Sequence, residues 1–269
     1  SGVVRRIVNG GKTPSDKNDQ TFDIVVVGAG AAGISVCASI LERAPKVKIA
    51  LIDPADIHYY QPGWTLVGAG VFTPEETVKT LSSLIPKGVT WLKHAVAAFE
   101  PKEKRVLLDG CHTIAYDKLI VCPGLKLDWD KIEGLTETLG KNGVTSNYRF
   151  DLAPYTWDLV QQCKSGKALF TQPPMPIKCA GAPQKAMYLS CDHWLTTGVL
   201  DKIEVDFCNA GGVLFGVQEY VPALMQYIEK YNANLNFFHN LVKVDGPNKT
   251  AYFQQIGPDA SDELIEKKF

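Results

Sequence analysis

The stretch FDIVVVGAGAAGISVCASILERA, residues 22–44, joins an apolar run to an amphipathic segment through a string of glycines. Phe22–Val27 is rich in β-branched residues and reads as a buried strand, while apolar positions at helical spacing predict a helix from about Ala32. Between them stands Gly28-Ala29-Gly30-Ala31-Ala32-Gly33, a complete G-x-G-x-x-G. In this pattern Gly28 permits the tight turn, Gly30 lets backbone approach a pyrophosphate, and Gly33 lets helix and strand pack closely. Ala31 and Ala32 open the helix, whose free N–H groups stabilise phosphate charge. A second apolar run, VKIALID, ends in Asp53, twenty residues after the third glycine and just before Pro54. A carboxylate there accepts hydrogen bonds from a ribose 2′-hydroxyl and repels a 2′-phosphate, which disfavours NADP. Strand, glycines, helix, strand and acid in this order make a dinucleotide site.

Around this unit the chain is an ordinary globular one. Its 269 residues suit one large or two medium domains, and 45% hydrophobic residues supply ample core. A net charge of −1 without a basic block argues against a nucleic-acid partner. No apolar run is long enough for a membrane span, so membrane contact would be peripheral. The seven cysteines, Cys37, Cys111, Cys122, Cys163, Cys179, Cys191 and Cys208, are odd in number and never spaced as CxxC. That argues against a disulfide framework and a zinc site, and no metal is expected. Residues 1–21 are polar and lack the apolar centre of a secretory signal, so they read as a linker or tail.

The next stretch, VTWLKHAVAAFEPKEKRVLLDGCHTIAYDKLIVCPG, reads as a strand, a short β-meander and a returning strand. This resembles the first domain of the two-dinucleotide-binding-domain flavoproteins, which implies FAD rather than NAD. By that resemblance the backbone near Val96 faces the adenine, and Pro123 and Gly124 close over the flavin phosphates. Cys122 either lies near the flavin or is a small buried thiol. The loop DPADIHYYQPGWTLVGAG, residues 53–70, is unusually aromatic. Its Tyr59, Tyr60 and Trp64 either shield a flavin or pack against the next helix, and Gln61 joins the cofactor contacts by the same resemblance.

From Thr145 the pattern restarts. APYTWDLVQQCKSG reads as a helix, KALFTQP and KIEVDFCNAGG as buried strands, and YVPALMQYIEKYNANLNFF as a helix leading to a strand. The expected architecture is therefore α/β, with two Rossmann-like, doubly wound parallel-sheet domains, 22–144 and 145–269. Where a second glycine string belongs, the sequence reads QPPMPIKCAGAP, from Gln172 to Pro183. Prolines have no N–H to offer a pyrophosphate, and one glycine leaves little room for close backbone approach. The loop presents a single thiol, Cys179, near a helix start, with Lys178 and Lys185 placed to favour thiolate.

HYYQPGWTLVGAG, VTSNY, PIKCAGAPQKAMYLS and NAGGVLFGV together resemble the sulfide:quinone oxidoreductase family, from about residue 22 to the end. With DLAPYTWDLV they resemble a proteobacterial branch more than the animal mitochondrial one. The resemblance implies a disulfide beside FAD that sulfide opens, leaving a persulfide on one cysteine while the other thiolate reacts with the flavin. Two electrons pass through FAD to a membrane quinone, and the sulfane sulfur leaves to a small thiol or a polysulfide. Cys179 matches the family's cysteine in this loop, Lys185 its basic partner, and Glu137 a base. The same resemblance implies peripheral attachment to the cytoplasmic face of a bacterial inner membrane, the mitochondrial inner membrane being the alternative. It also allows a homo-oligomer.

Family members run on well past Phe269, and there lie the second redox cysteine, a Gly-Asp motif for the flavin and the amphipathic helices that reach quinone. No other cysteine here matches that second one, and Tyr148 stands where some bacterial members carry a further cysteine. On this reading the chain is part of an enzyme, binds FAD weakly or not at all, and does not turn over alone. Two other readings stay open: an NADH:quinone reductase of the same fold, and a non-catalytic module that binds a nucleotide or sulfane sulfur.

Overall fold

The computed structural model describes residues 20–110 and 112–269. Of the expected tail, residues 1–19 lie outside the described residues, as does Cys111; Gln20 and Thr21 already belong to a strand. By their contacts the described residues form two compact units, one of residues 20–60 and 78–126, the other of 61–77 and 127–269.

The first unit is built on β1 (Gln20–Val27), which leads through three residues into α1 (Ala31–Arg43) and back into β2 (Ile49–Ile52). A hairpin of β3 (Ile57–Tyr59) and β4 (Val78–Thr80) precedes β5 (Val89–Leu92). The meander β6 (Val96–Glu100), β7 (Arg105–Leu108) and β8 (Thr113–Val121) completes a six-stranded sheet of order β5-β2-β1-β8-β7-β6. β5, β2, β1 and β8 run parallel, and β6 and β7 are antiparallel additions. Period-two alternation puts Val26, Ile49 and Leu51 on the face with Cys37 of α1. Val25, Val27, Ala50 and Ile52 lie on the other face with Leu108, Ile114 and Tyr116. Both faces are buried, which is why these short strands carry almost no polar residue.

The second unit holds α2 (Trp64–Val67), α3 (Leu135–Thr138) and α4 (Ala153–Gln162). There follow β9 (Gly166–Gln172), α5 (Ala182–Thr196), β10 (Ile203–Asn209), α6 (Val221–Lys230) and β11 (Asn234–Asn236), whose strands form a parallel sheet of order β11-β10-β9. Met187, Cys191 and Trp194 of α5 and Ile228 of α6 pack on Val205 and Phe207 of β10. An antiparallel sheet of β12 (His239–Asp245), β13 (Thr250–Gln255) and β14 (Leu264–Lys268) follows, and Ala251 and Phe253 of β13 bury against Cys208. The α/β class and the recurrent strand–helix–strand order are as expected. The second antiparallel sheet was not foreseen.

The contacts also place the division differently from a single cut after residue 144. Trp64 and Val67 bury with Ala153 against Phe150, so the aromatic loop's tryptophan is a core residue of the second unit. A Cβ on Gly68 would meet Asn147 at 2.4 Å, and one on Gly70 would meet Trp157 at 2.4 Å. These contacts carry 61–77 into the second unit, and the chain crosses again after Lys126. Tyr60 is exposed, and no helix of the described residues is long and apolar enough to cross a membrane.

One ion pair in the second unit is well shielded. Lys267 of β14 lies 3.3 Å from Asp206 of β10, their side chains 20% and 9% exposed. Removing one member of such a pair strands the other's charge in a poor dielectric. Lys267→Met is expected to cost about 3–5 kcal/mol in urea unfolding. Lys93→Met, which breaks the exposed pair with Asp56, should cost about 1 kcal/mol or less. Equal midpoints for the two variants would refute the assignment.

Candidate functional site

The glycine turn of the first unit is shaped by contacts that tolerate no side chain at two of its three glycines. Gly28 has φ +95°, and a Cβ there would lie 2.1 Å from the Cys122 carbonyl oxygen. A Cβ on Gly33 would lie 1.8 Å from the Gly28 carbonyl oxygen, so α1 sits directly on the turn. Gly30 is different: a Cβ there would meet nothing within 4 Å. Gly30, Ala31 and Ala32 are exposed, and α1 begins at them without a side-chain cap. The result is a set of unclaimed N–H groups facing open space at the positive end of a helix dipole.

Asp53 bounds this space. Its carboxylate accepts from the Ala29 N–H at 2.8 Å and the Ala55 N–H at 2.8 Å. Each oxygen retains a lone pair that can accept from a hydroxyl. The residue is held from β5, by Asp53 N–H to the Leu92 carbonyl at 3.2 Å and by the Trp91 indole N–H to the Asp53 carbonyl at 2.9 Å. Pro54 beside it is exposed, Val96 is half-buried at the start of β6, and exposed Pro123 and Gly124 follow β8, Pro123 lying against Gly28. The glycines, Asp53, Pro54, Val96, Pro123 and Gly124 thus all belong to the first unit, whereas Gln61 begins the segment that belongs to the second.

The cysteine loop lies at the corresponding point of the second unit, after its first strand. β1 reaches α1 through Gly28–Gly30, but β9 reaches α5 only after nine residues, Pro173–Gly181. Pro183 sits in the first turn of α5 and removes one donor, and the Ala182 N–H is taken by the Cys179 carbonyl at 2.9 Å. The turn therefore lacks the short approach of Gly28–Gly33, and two of the amides at its helix start are removed or already taken.

What it offers is sulfur. Cys179 is exposed and has φ +61°, a left-handed backbone that costs a non-glycine residue about 1–2 kcal/mol. Strain of this kind is held only where surrounding contacts over-determine it. Here the Tyr148 hydroxyl donates to the Lys178 carbonyl at 2.7 Å, with the Cys179 carbonyl 3.4 Å away. Lys178 is half-buried and Lys185 exposed on the first turns of α5. Sequence reasoning passed over Tyr148 as an anchor; its only signal was an aromatic residue beside an Asn in VTSNY.

The remaining described cysteines sort by burial. Burial pushes the Cys37 thiol up to about 11 and those of Cys191 and Cys208 up to about 12, so all three stay protonated and shut away. Cys191 is thus not available to pair with Cys179. Cys122 is half-buried, its N–H bonded to the Val27 carbonyl at 2.7 Å behind the glycine turn. All described cysteines are free thiols, and no cluster of potential metal ligands occurs among the described residues.

Glu137 is exposed on α3. It lines an open groove of about 580 Å³ with Thr138, Lys141, Asn142, Lys243 and Asp245. Cys179 and Lys185 do not line that groove.

Comparison with known proteins gives these features a context. The family model described as pyridine nucleotide-disulphide oxidoreductase matches residues 22–172. A mitochondrial sulfide:quinone oxidoreductase of Dictyostelium discoideum is 43% identical over 94% of this chain and 57% of its own length. Its counterpart in Mus musculus is 39% identical over 91% of this chain and 54% of its own. The chain spans about half the length of these curated relatives. The sulfide:quinone oxidoreductase of Aquifex aeolicus superposes with a TM-score of 0.77 at 18% identity, over 93% of this chain and 57% of that one, which establishes the shared fold. Both curated relatives are mitochondrial, and the bacterial inner-membrane face expected from sequence finds no support in them.

Members of this family are FAD-binding flavoproteins, and the open space at Gly30, the uncapped start of α1 and the free lone pairs of Asp53 suit that cofactor's adenosine diphosphate half. The chain belongs to the pyridine nucleotide-disulphide oxidoreductase family, and its curated sequence relatives are mitochondrial sulfide:quinone oxidoreductases.

Proposed function

We propose that this chain is the part of a sulfide:quinone oxidoreductase that binds FAD and supplies one of its two working thiols, Cys179. The observation that carries this reading is the loop of Pro173–Gly181. It stands where a second dinucleotide turn belongs, and it exposes a strained cysteine in place of free amides.

In the working enzyme Cys179 is one half of a disulfide. Hydrosulfide attacks one sulfur, a new S–S bond forms as the old one breaks, and a persulfide and a thiolate result. The sulfur of the substrate gives up two electrons and becomes sulfane sulfur, which a small thiol then removes. That electron pair then rests on the two cysteine sulfurs, which close to the disulfide again as they give it up. FAD held at Gly28–Gly33 and Asp53 would supply the two-electron acceptor that hands it on, with two protons, to a quinone.

This chain's own residues hold the cofactor, fix the sulfur, and supply charge and protons. The turn at Gly28–Gly33 and the α1 N-terminus hold the pyrophosphate, Asp53 holds the adenosine ribose, and Pro123 and Gly124 cover the phosphates from the end of β8. Val96 lines the adenine side, Pro54 and Gln61 complete the cofactor contacts, and the loop fixes the sulfur of Cys179. Lys185 supplies positive charge for sulfide and thiolate, and Glu137 moves protons. The mitochondrial inner membrane is the setting, with peripheral contact through segments outside this chain.

An NADH:quinone reductase of the same fold would need free amides after β9, and Pro173, Pro174, Pro176 and Pro183 supply none. The two readings separate in one experiment on the active enzyme under anaerobic conditions. Sulfide should bleach the flavin absorbance within the turnover time and NADH should not. Bleaching by NADH at a comparable rate would overturn the proposal.

A further inference from the structure

We infer that Tyr148 is a positioning residue for Cys179: its hydroxyl clamps the cysteine loop from behind and so keeps the sulfur turned outward. The inference rests on the reading of Cys179 as the working thiol and names what holds it.

Tyr148 and Cys179 are far apart in sequence but belong to the same unit. The hydroxyl donates to the Lys178 carbonyl at 2.7 Å and has the Cys179 carbonyl as a weaker second acceptor at 3.4 Å. Two consecutive carbonyl oxygens therefore turn toward the tyrosine. The Cys179 carbonyl also accepts the Ala182 N–H at 2.9 Å, so the peptide after the cysteine is gripped from two sides. With both carbonyls fixed on one side and φ at +61°, the side chain of Cys179 has to leave on the exposed side.

The clamp is itself fixed at its base. The Tyr148 N–H bonds the Ser146 hydroxyl at 3.1 Å, and Asn147 lies against Gly68 of the α2 segment. Burial, and after it the neighbouring Cys179 charge, push the Tyr148 phenol up to about 12, so at neutral pH it is a donor and never an anion beside the thiol. Removing the oxygen frees the Lys178 carbonyl, leaves the Cys179 carbonyl with the Ala182 N–H alone, and lets Cys179 relax to negative φ, where L-residues are ordinarily found.

The test reads the thiol rather than turnover. In the 269-residue chain, alkylation by iodoacetamide is followed residue by residue through peptide mass spectrometry over a range of pH, with half-buried Cys163 as the internal reference. Tyr148→Phe should slow modification of Cys179 by about fivefold, the population equivalent of one ordinary hydrogen bond, and leave Cys163 unchanged. 4-Aminophenylalanine at position 148, which donates from the same place, should restore the rate. Tyr231→Phe, which removes a hydroxyl bonded to Asp192 instead, should have no effect on Cys179. If Tyr148→Phe does not fold, 4-fluorophenylalanine keeps the ring and its volume without a donor and should give the same slowing.

An unchanged Cys179 rate in a folded donor-free variant overturns the inference. So does a loss that 4-aminophenylalanine fails to restore. Because the assay needs neither flavin nor sulfide, its failure is distinct from failure of the proposed function, which the response to sulfide decides.

Discussion

Cys179→Ser removes sulfide-dependent quinone reduction from the active enzyme, by on the order of 10³-fold or more. The size of the effect follows from bond chemistry. A serine oxygen forms neither a disulfide nor a persulfide, and its hydroxyl is hardly ionised at neutral pH, so no nucleophile or leaving group of comparable quality replaces the thiolate. The variant should bind flavin as before, since it leaves the glycine turn and Asp53 unchanged. Cys163→Ser and Cys191→Ser provide the contrast. The first removes a half-buried thiol whose sulfur donates only to the Ser165 carbonyl, and the second removes a thiol sealed in the core against α6. Neither should reduce turnover per folded molecule. If Cys179→Ser retains sulfide-dependent turnover within tenfold of the parent, the working thiol lies elsewhere and the cysteine loop has only a structural role.

How much of this could be read from sequence depends on the range over which each element is determined. The β1–α1–β2 unit is a local construction. Its strand is a continuous apolar run, its turn needs glycines at fixed spacing, and its acid follows the second strand directly, so every signal lies within about thirty residues. β9 and β10 are legible for the same reason, each being an apolar run followed by a break. The segment 61–77 is not, because Trp64 and Val67 find their partners, Phe150 and Ala153, in a distant stretch of chain. No periodicity in a four-residue helix reports that choice. The β12–β14 sheet escaped notice because His239–Asp245 and Leu264–Lys268 mix lysine and asparagine with isolated apolar residues and carry no sustained alternation.

The cysteine loop shows both sides of this boundary. Its prolines declare in one dimension that a dinucleotide turn is missing, since the absence of an N–H is a property of the residue itself. The left-handed backbone at Cys179 and the hydroxyl behind it are properties of the fold. They depend on a tyrosine brought from before α4 to the end of β9, and only the three-dimensional arrangement supplies that meeting.

Gly33→Ala and Gly30→Ala, one residue type changed in the same way in the same turn, should fail for different reasons. At Gly33 the new methyl would lie 1.8 Å from the Gly28 carbonyl oxygen, and the obstacle is backbone, which no rotamer change can move aside. α1 has to lift from β1, and Cys37, with the half-buried Ile34 and Ile40 beside it, loses part of its packing on Val26 and Leu51. Overpacking of this kind costs about 1–3 kcal/mol where side chains yield and more where backbone must. A lowered melting temperature together with loss of FAD is therefore expected. At Gly30 the methyl meets no protein atom within 4 Å, so the fold should melt within about 0.5 kcal/mol of the parent. The space it enters is the space the pyrophosphate would take, and flavin retention should fall by about tenfold or more, as expected when van der Waals contact with a bound phosphate becomes overlap. Calorimetry and flavin absorbance after gel filtration, both on the active enzyme carrying each change, read both quantities. Stable Gly30→Ala protein that keeps its full complement of flavin would show that the turn, although correctly folded, is not where the cofactor's phosphates lie.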